Sequence, residues 1–144
     1  MHIIQTLSSR LESIPAYTQF LTEQLAAYSL SEEQLFDLKL ALQEALVNAI
    51  KHGNKFNPAL SVEVAVEASE QSITISVHDQ GEGFNVEHIP DPTDGANLSK
   101  TSGRGLFLIR KLMDQVEFFD CGRGIKMIKF LTKEAGGEYP SGKA

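Results

Sequence analysis

The sequence predicts an α/β fold of the α+β kind. This is a two-layer sandwich with a mixed, mostly antiparallel sheet and helices on one face. Three observations predict it. Residues 60–67 and 72–79 each alternate apolar and polar side chains, as half-buried strands do. Residues 31–53 are rich in helix formers, with apolar side chains recurring at three- and four-residue spacing. The order of elements is β-α-α-β-β-loop-α-β-β, in which strands come in adjacent pairs and helices in a separate layer.

Taken in order, residues 2–7 read as a short strand. Ser8 or Ser9 is placed to cap a helix over residues 10–28. Leu11, Ile14, Tyr17, Phe20, Leu21 and Leu25 line one side of it, and Pro15 sits near the first turns, where proline costs least. Ser31-Glu32-Glu33-Gln34 is a capping-box pattern that starts the second helix, which Gly53 and Pro58 end. The strands over 60–67 and 72–79, joined by Ser69-Glu70-Gln71, form a hairpin with Val62, Val64, Val66, Ile73, Ile75 and Val77 on one face. Gln80-Gly81-Glu82-Gly83-Phe84 is a tight turn, and residues 85–102 have no apolar period and read as a mobile loop. A helix over 106–114 follows Gly103-Arg104-Gly105, and strands over 115–120 and 125–132 close the chain's ordered part.

The chain has 144 residues, of which 42% are hydrophobic and 22% charged, enough for one domain with its own core. One domain over 1–135 and a flexible polar tail over 136–144 are expected. The net charge of −6 argues against a nucleic-acid binder, but leaves room for anions held at helix N-termini. Cys121 is the only cysteine, which excludes an internal disulfide and a cysteine metal cluster. No basic-plus-apolar leader is expected, and no apolar run approaches the ~18 residues of a membrane span. The expected location is therefore the cytoplasm, away from any membrane.

Within the second helix, Glu44 and Asn48 lie just over one turn apart and share a face with Asp37 and His52. Leu35, Leu38, Leu42, Ala45, Leu46 and Ala49 fall on the opposite side. Polar residues on an amphipathic helix are ordinarily just its wet face. Two glycine-bearing segments change that reading. Asp79-Gln80-Gly81-Glu82-Gly83 ends a strand with an aspartate that can accept from an exocyclic amine such as adenine's, beside glycines that admit a flat base. Gly103-Arg104-Gly105-Leu106 would open a helix, with backbone N–H groups and the Arg104 charge available to phosphates. It is neither a dinucleotide fingerprint nor a Walker A loop, since the third glycine and the Gly-Lys-Ser/Thr are missing. The Asn48 oxygen suits Mg²⁺, which takes few protein ligands, and Glu44 one turn back suits a general base.

In this order the three segments resemble the Bergerat-fold ATPases shared by histidine kinases and gyrase-type enzymes. Glu44-x-x-x-Asn48 matches the family's N box, Asp79-x-Gly81-x-Gly83 its first glycine box and Gly103-x-Gly105-Leu106 its second. Asn48-Ala49-Ile50-Lys51-His52-Gly53 and the run from Gly103 to Asp114 look most like the anti-sigma factor serine kinases, and the resemblance spans residues 6–133. It implies ATP-Mg²⁺ binding, phosphoryl transfer to a serine of a STAS-domain antagonist, and sequestration of a sigma factor. By motif position, Asn48 would hold Mg²⁺, Glu44 would be the base and Asp79 would read adenine. Gly81, Gly83, Gly103, Gly105 and Leu106 would line the nucleotide, with residues 85–102 as its lid. Arg104 and His52 would lie near the phosphates or the partner surface. Relatives often form homodimers, which the resemblance leaves open for this chain. Many also place a threonine after the last hairpin's glycine, near the adenine. Here Ile125 follows Gly124, so that polar contact is missing or supplied by water. No phospho-accepting histidine helix and no second domain are expected. The alternative is a non-catalytic ATP-binding module that regulates a partner protein.

Overall fold

The computed structural model describes the backbone of residues 1–83 and 101–131, and the side chains of 1–83 and 105–131. The expected tail over 136–144 and nearly all of the expected loop over 85–102 lie outside the described residues, as does the Arg104 side chain. The described strands are β1 (His2–Ser8), β2 (Ser61–Ala68), β3 (Ser72–His78), β4 (Gln115–Phe119) and β5 (Gly124–Phe130). They form one sheet in the order β1-β2-β3-β5-β4, with every pairing antiparallel. The expected mixed sheet is therefore corrected to a wholly antiparallel one among the described strands. β3 and β4 do run the same way, but β5 turns back and inserts between them.

The register aligns the apolar positions in rows. Leu7 lies opposite Val62, Val64 opposite Val77, Val66 opposite Ile75, and Ile75 opposite Met127. The row side chains Val62, Val64, Val66, Ile73, Ile75, Val77 and Met127 are all fully buried. Each is worth about 1.5–3 kcal/mol relative to an exposed position. The helices that cover them are α1 (Ser13–Leu25), α2 (Glu32–Val47) and α3 (Thr101–Leu112). Leu38, Leu42 and Leu46 of α2 and Ile109 of α3 complete the core.

Local chemistry explains where the helices begin. The Ser31 hydroxyl accepts from the Gln34 N–H at 3.0 Å, and the Gln34 side-chain oxygen accepts from the Ser31 N–H at 2.9 Å, closing the expected capping box. α1 is shorter than expected, because neither Ser8 nor Ser9 caps it. Ser9 is buried and donates to the Leu60 carbonyl at 2.6 Å, while the Ser8 hydroxyl meets that of Ser13 at 2.7 Å. α3 starts at Thr101, five residues before the expected Leu106, so Gly103 and Gly105 lie inside the helix and not ahead of it.

Asp37 also departs from expectation. It does not join Glu44 and Asn48, but accepts from Lys129 Nζ at 3.1 Å. Lys129 projects from β5 on the helix side of the sheet and donates at 2.6 Å to the Leu112 carbonyl at the end of α3. One ammonium group thus joins the start of α2, the end of α3 and the sheet.

Candidate functional site

The face that carries Glu44 and Asn48 changes pitch in the middle. α2 gives way to a π turn, Asn48–Gly53, in which the Asn54 N–H reaches back five residues to the Ala49 carbonyl at 2.8 Å. Such a wide turn accommodates one extra residue and is frequent at functional sites. His52 lies in this turn and is exposed. Partial burial and the adjacent Lys51 charge hold the His52 imidazole below its usual pKa.

Glu44 and Asn48 converge on α3 at Gly105. A Cβ there would lie 3.1 Å from Asn48 Nδ2, 3.2 Å from Glu44 Oε2 and 3.5 Å from Asn48 Oδ1. Gly105 therefore serves close approach of two helices. Its N–H lies beyond the first turn of α3, where a helix leaves donors free, so the expected phosphate donor at this position is corrected; Gly103 remains within that turn. Asn48 Oδ1 is buried and has no hydrogen-bond partner among the described residues. A buried amide oxygen left without a donor is costly, and a hard cation or a water would satisfy it. Among the described residues, no group of three or more His, Cys, Asp or Glu could hold a metal ion. A lone amide oxygen fits Mg²⁺, which keeps most of its waters. Leu106 is partly buried against the core.

The far end of the π turn meets the first glycine segment. A Cβ at Gly53 would strike the Asp79 carboxylate, 2.4 Å from Oδ2, and a Cβ at Gly81 would strike the Gly53 carbonyl at 2.0 Å. Both glycines are there because nothing larger fits. Asp79 is 8% exposed, and its Oδ1 accepts from the Gly81 N–H at 2.8 Å. Burial pushes the Asp79 carboxyl above the ordinary carboxylate range, while the Gly81 N–H and the His78 and Arg123 charges pull the other way. Gly83 has a φ of 80° and sits against the Cys121 carbonyl. Glu44 and Gly53 are nine residues apart along α2 and its π turn, so the two clusters lie along one helical support.

Two residues that hold this arrangement were not singled out from the sequence. Asn54, 2% exposed, donates to Ser9 Oγ and to the Ser61 carbonyl, each at 2.9 Å, and its Oδ1 accepts from the Gln80 N–H at 2.8 Å. Its side chain thus ties together the residue after β1, the start of β2 and the segment after β3. Arg123, in the turn before β5, donates to the Gly81 carbonyl at 2.7 Å. The only sequence signal for Asn54 is its place after Gly53, which also suits a plain helix stop. Arg123 gave none, since an arginine in a hairpin turn is usually solvated.

Residues 7–132 match the family model described as the histidine kinase-like ATPase domain. The chain belongs to that family. It is 37% identical over 112 residues to the serine-protein kinase RsbW of Staphylococcus epidermidis, covering 72% of this chain and 70% of the relative. It is 33% identical over 110 residues to the protein of the same name from Staphylococcus aureus strain MSSA476, covering 71% and 69%. The crystal structure of the RsbU and RsbW domains of Rv1364c from Mycobacterium tuberculosis superposes with a TM-score of 0.63 at 18% identity. That match covers 90% of this chain and 31% of the longer one, and shows a shared fold. The family, and with it an ATPase-type domain, is the one that the three sequence segments resemble. No helix among the described residues is long and apolar enough to cross a membrane.

Proposed function

We propose that this chain is an ATP-dependent protein-serine kinase of the anti-sigma type. It transfers the γ-phosphoryl group to a serine of a STAS-domain antagonist and sequesters a sigma factor when that antagonist is not bound. The observation that carries the reading is the convergence on Gly105 of Glu44 and of the Asn48 oxygen, unpartnered among the described residues, in a chain 37% identical to a serine-protein kinase.

In this reading Asn48 Oδ1 would hold Mg²⁺, whose charge offsets that of the phosphate oxygens. Asp79 accepts from the adenine amine, with Gly81 and Gly83 giving the base access to the backbone. The Gly103 segment, in the first turn of α3, offers N–H groups to the phosphates. Glu44 takes the proton from the acceptor serine as its oxygen attacks phosphorus, and ADP leaves with the electrons of the broken bond. Incubation with labelled ATP, Mg²⁺ and a STAS-domain protein tests this. Phosphoserine on the STAS protein is the expected product. A stable complex with no phosphoserine would instead favour a non-catalytic regulatory module.

A further inference from the structure

The segment assigned above to the adenine is held from across the sheet by the turn between β4 and β5. That turn is tightly wound. Asp120, Cys121 and Gly122 have φ of 51°, 54° and 82°, and Cys121 is of a kind that rarely adopts a positive value. The Arg123 N–H closes it on the Asp120 carbonyl at 3.0 Å. From this position Arg123 takes hold of both ends of the glycine segment. Its carbonyl accepts from the Asp79 N–H at 3.0 Å, its Nε donates to the Gly81 carbonyl at 2.7 Å, and its Nη2 donates to the Glu82 carbonyl at 3.2 Å. Nη1 reaches back to the Asp120 carbonyl at 3.4 Å and to Asp120 Oδ1 at 3.5 Å. Asp120 is itself fixed by His78, whose Nε2 lies 2.7 Å from Oδ2. One forked guanidinium thus spans two carbonyls of the segment and the turn opposite, a task that a point charge cannot reproduce.

We propose that Arg123 is a positioning residue for base recognition. By clamping the Gly81 and Glu82 carbonyls it fixes where the Asp79 carboxylate points, while leaving the phosphate end at Glu44 and Asn48 untouched. The inference rests on the proposed nucleotide site and deepens it. Loss of the clamp raises KM for ATP and erodes discrimination between ATP and GTP, with little change in kcat.

The test uses the full chain with its STAS substrate, comparing wild type with Arg123→Met and Arg123→Lys. Val66→Ala, a truncation in the buried core of β2, serves as a control for lost stability. Arg123→Met should raise both KM and the directly measured Kd for ATP about tenfold, the loss expected when a charge-assisted hydrogen bond is removed. Its kcat should stay within about twofold, and its preference for ATP over GTP should fall. Arg123→Lys should recover only part of the affinity, and Val66→Ala should keep the wild-type preference. Arg123 variants that bind ATP as tightly and as selectively as wild type would overturn this inference alone. So would a loss of preference shared by Val66→Ala. A wild-type chain that binds no ATP would overturn the proposed function with it.

Discussion

Gly105 is the residue where packing and the proposed chemistry meet most closely. Alanine in a helix is favoured over glycine by about 1 kcal/mol, so Gly105→Ala should leave thermal stability equal to or above that of wild type. The added Cβ would crowd Asn48 and Glu44 at 3.1 and 3.2 Å, and one or both must shift. Displacing reacting groups by fractions of an ångström lowers rates steeply, so kcat should fall about tenfold or more while the melting temperature holds. Steady-state kinetics and a thermal melt on the same preparation check this.

Asp79 carries a similar trade-off, visible through pH. Its folded-state pKa is raised, chiefly by burial. A raised carboxyl pKa gives a stability contribution that is fully present below the ordinary carboxylate value. That contribution is lost as pH rises through the raised one. At neutral pH the buried charge is therefore a cost. Asp79→Asn, which keeps an oxygen for the Gly81 N–H, should be at least as stable as wild type at pH 7.5. The gap should narrow towards pH 4.5, while ATP binding is lost or greatly weakened. Melting curves at the two pH values, with a binding titration, measure both effects. Glu44, Asn48, Asp79 and the glycines were all legible as residues because their spacing is chemical. Asn54 and Arg123 were not, because the groups that Asn54 meets at Ser9 and Gln80, and Arg123 at Gly81 and Glu82, are brought to them only by the fold.

At the scale of elements, the alternating strands and the capping box could be read directly, since each depends on neighbours within a few residues. The π turn could not. Periodicity at 100° per residue assumes a regular helix, and nothing in Asn48-Ala49-Ile50-Lys51-His52-Gly53 marks a wider one. α3 starts earlier than its glycines suggest, because Gly105 lies within the helix to bring two helices together and does not precede it. The Asp37–Lys129 pair joins α2, α3 and β5 with side chains only 17% and 12% exposed. Lys129→Met removes the cation and leaves Asp37 and the Leu112 carbonyl without it. The expected loss is about 2–4 kcal/mol, as for a partly buried pair broken on one side, and urea denaturation measures it. ATP affinity should change less than in Arg123→Met, because Lys129 touches the end of α3 remote from Gly105.

Across the whole molecule, the sheet is a platform with one face under the helices and its order set by two hairpins. The two-layer class was legible from the order of elements. The absence of parallel neighbours in the described sheet was not, since it depends on β5 inserting between β3 and β4. The same insertion brings the β4–β5 turn against the Asp79 segment, while α2 and its π turn span from that segment to Gly105. The residues proposed for base recognition and those proposed for phosphoryl chemistry thereby lie along one helical support. The most direct test of this account is transfer of the γ-phosphate to a STAS-domain serine by wild type and by Glu44→Ala, each with its ATP Kd measured. The account predicts phosphoserine with wild type and a rate lower by about 10²–10⁴ with Glu44→Ala, at an ATP Kd within a few-fold of wild type. Equal transfer rates for the two proteins, or no phosphoserine from an ATP-bound wild type, would contradict it.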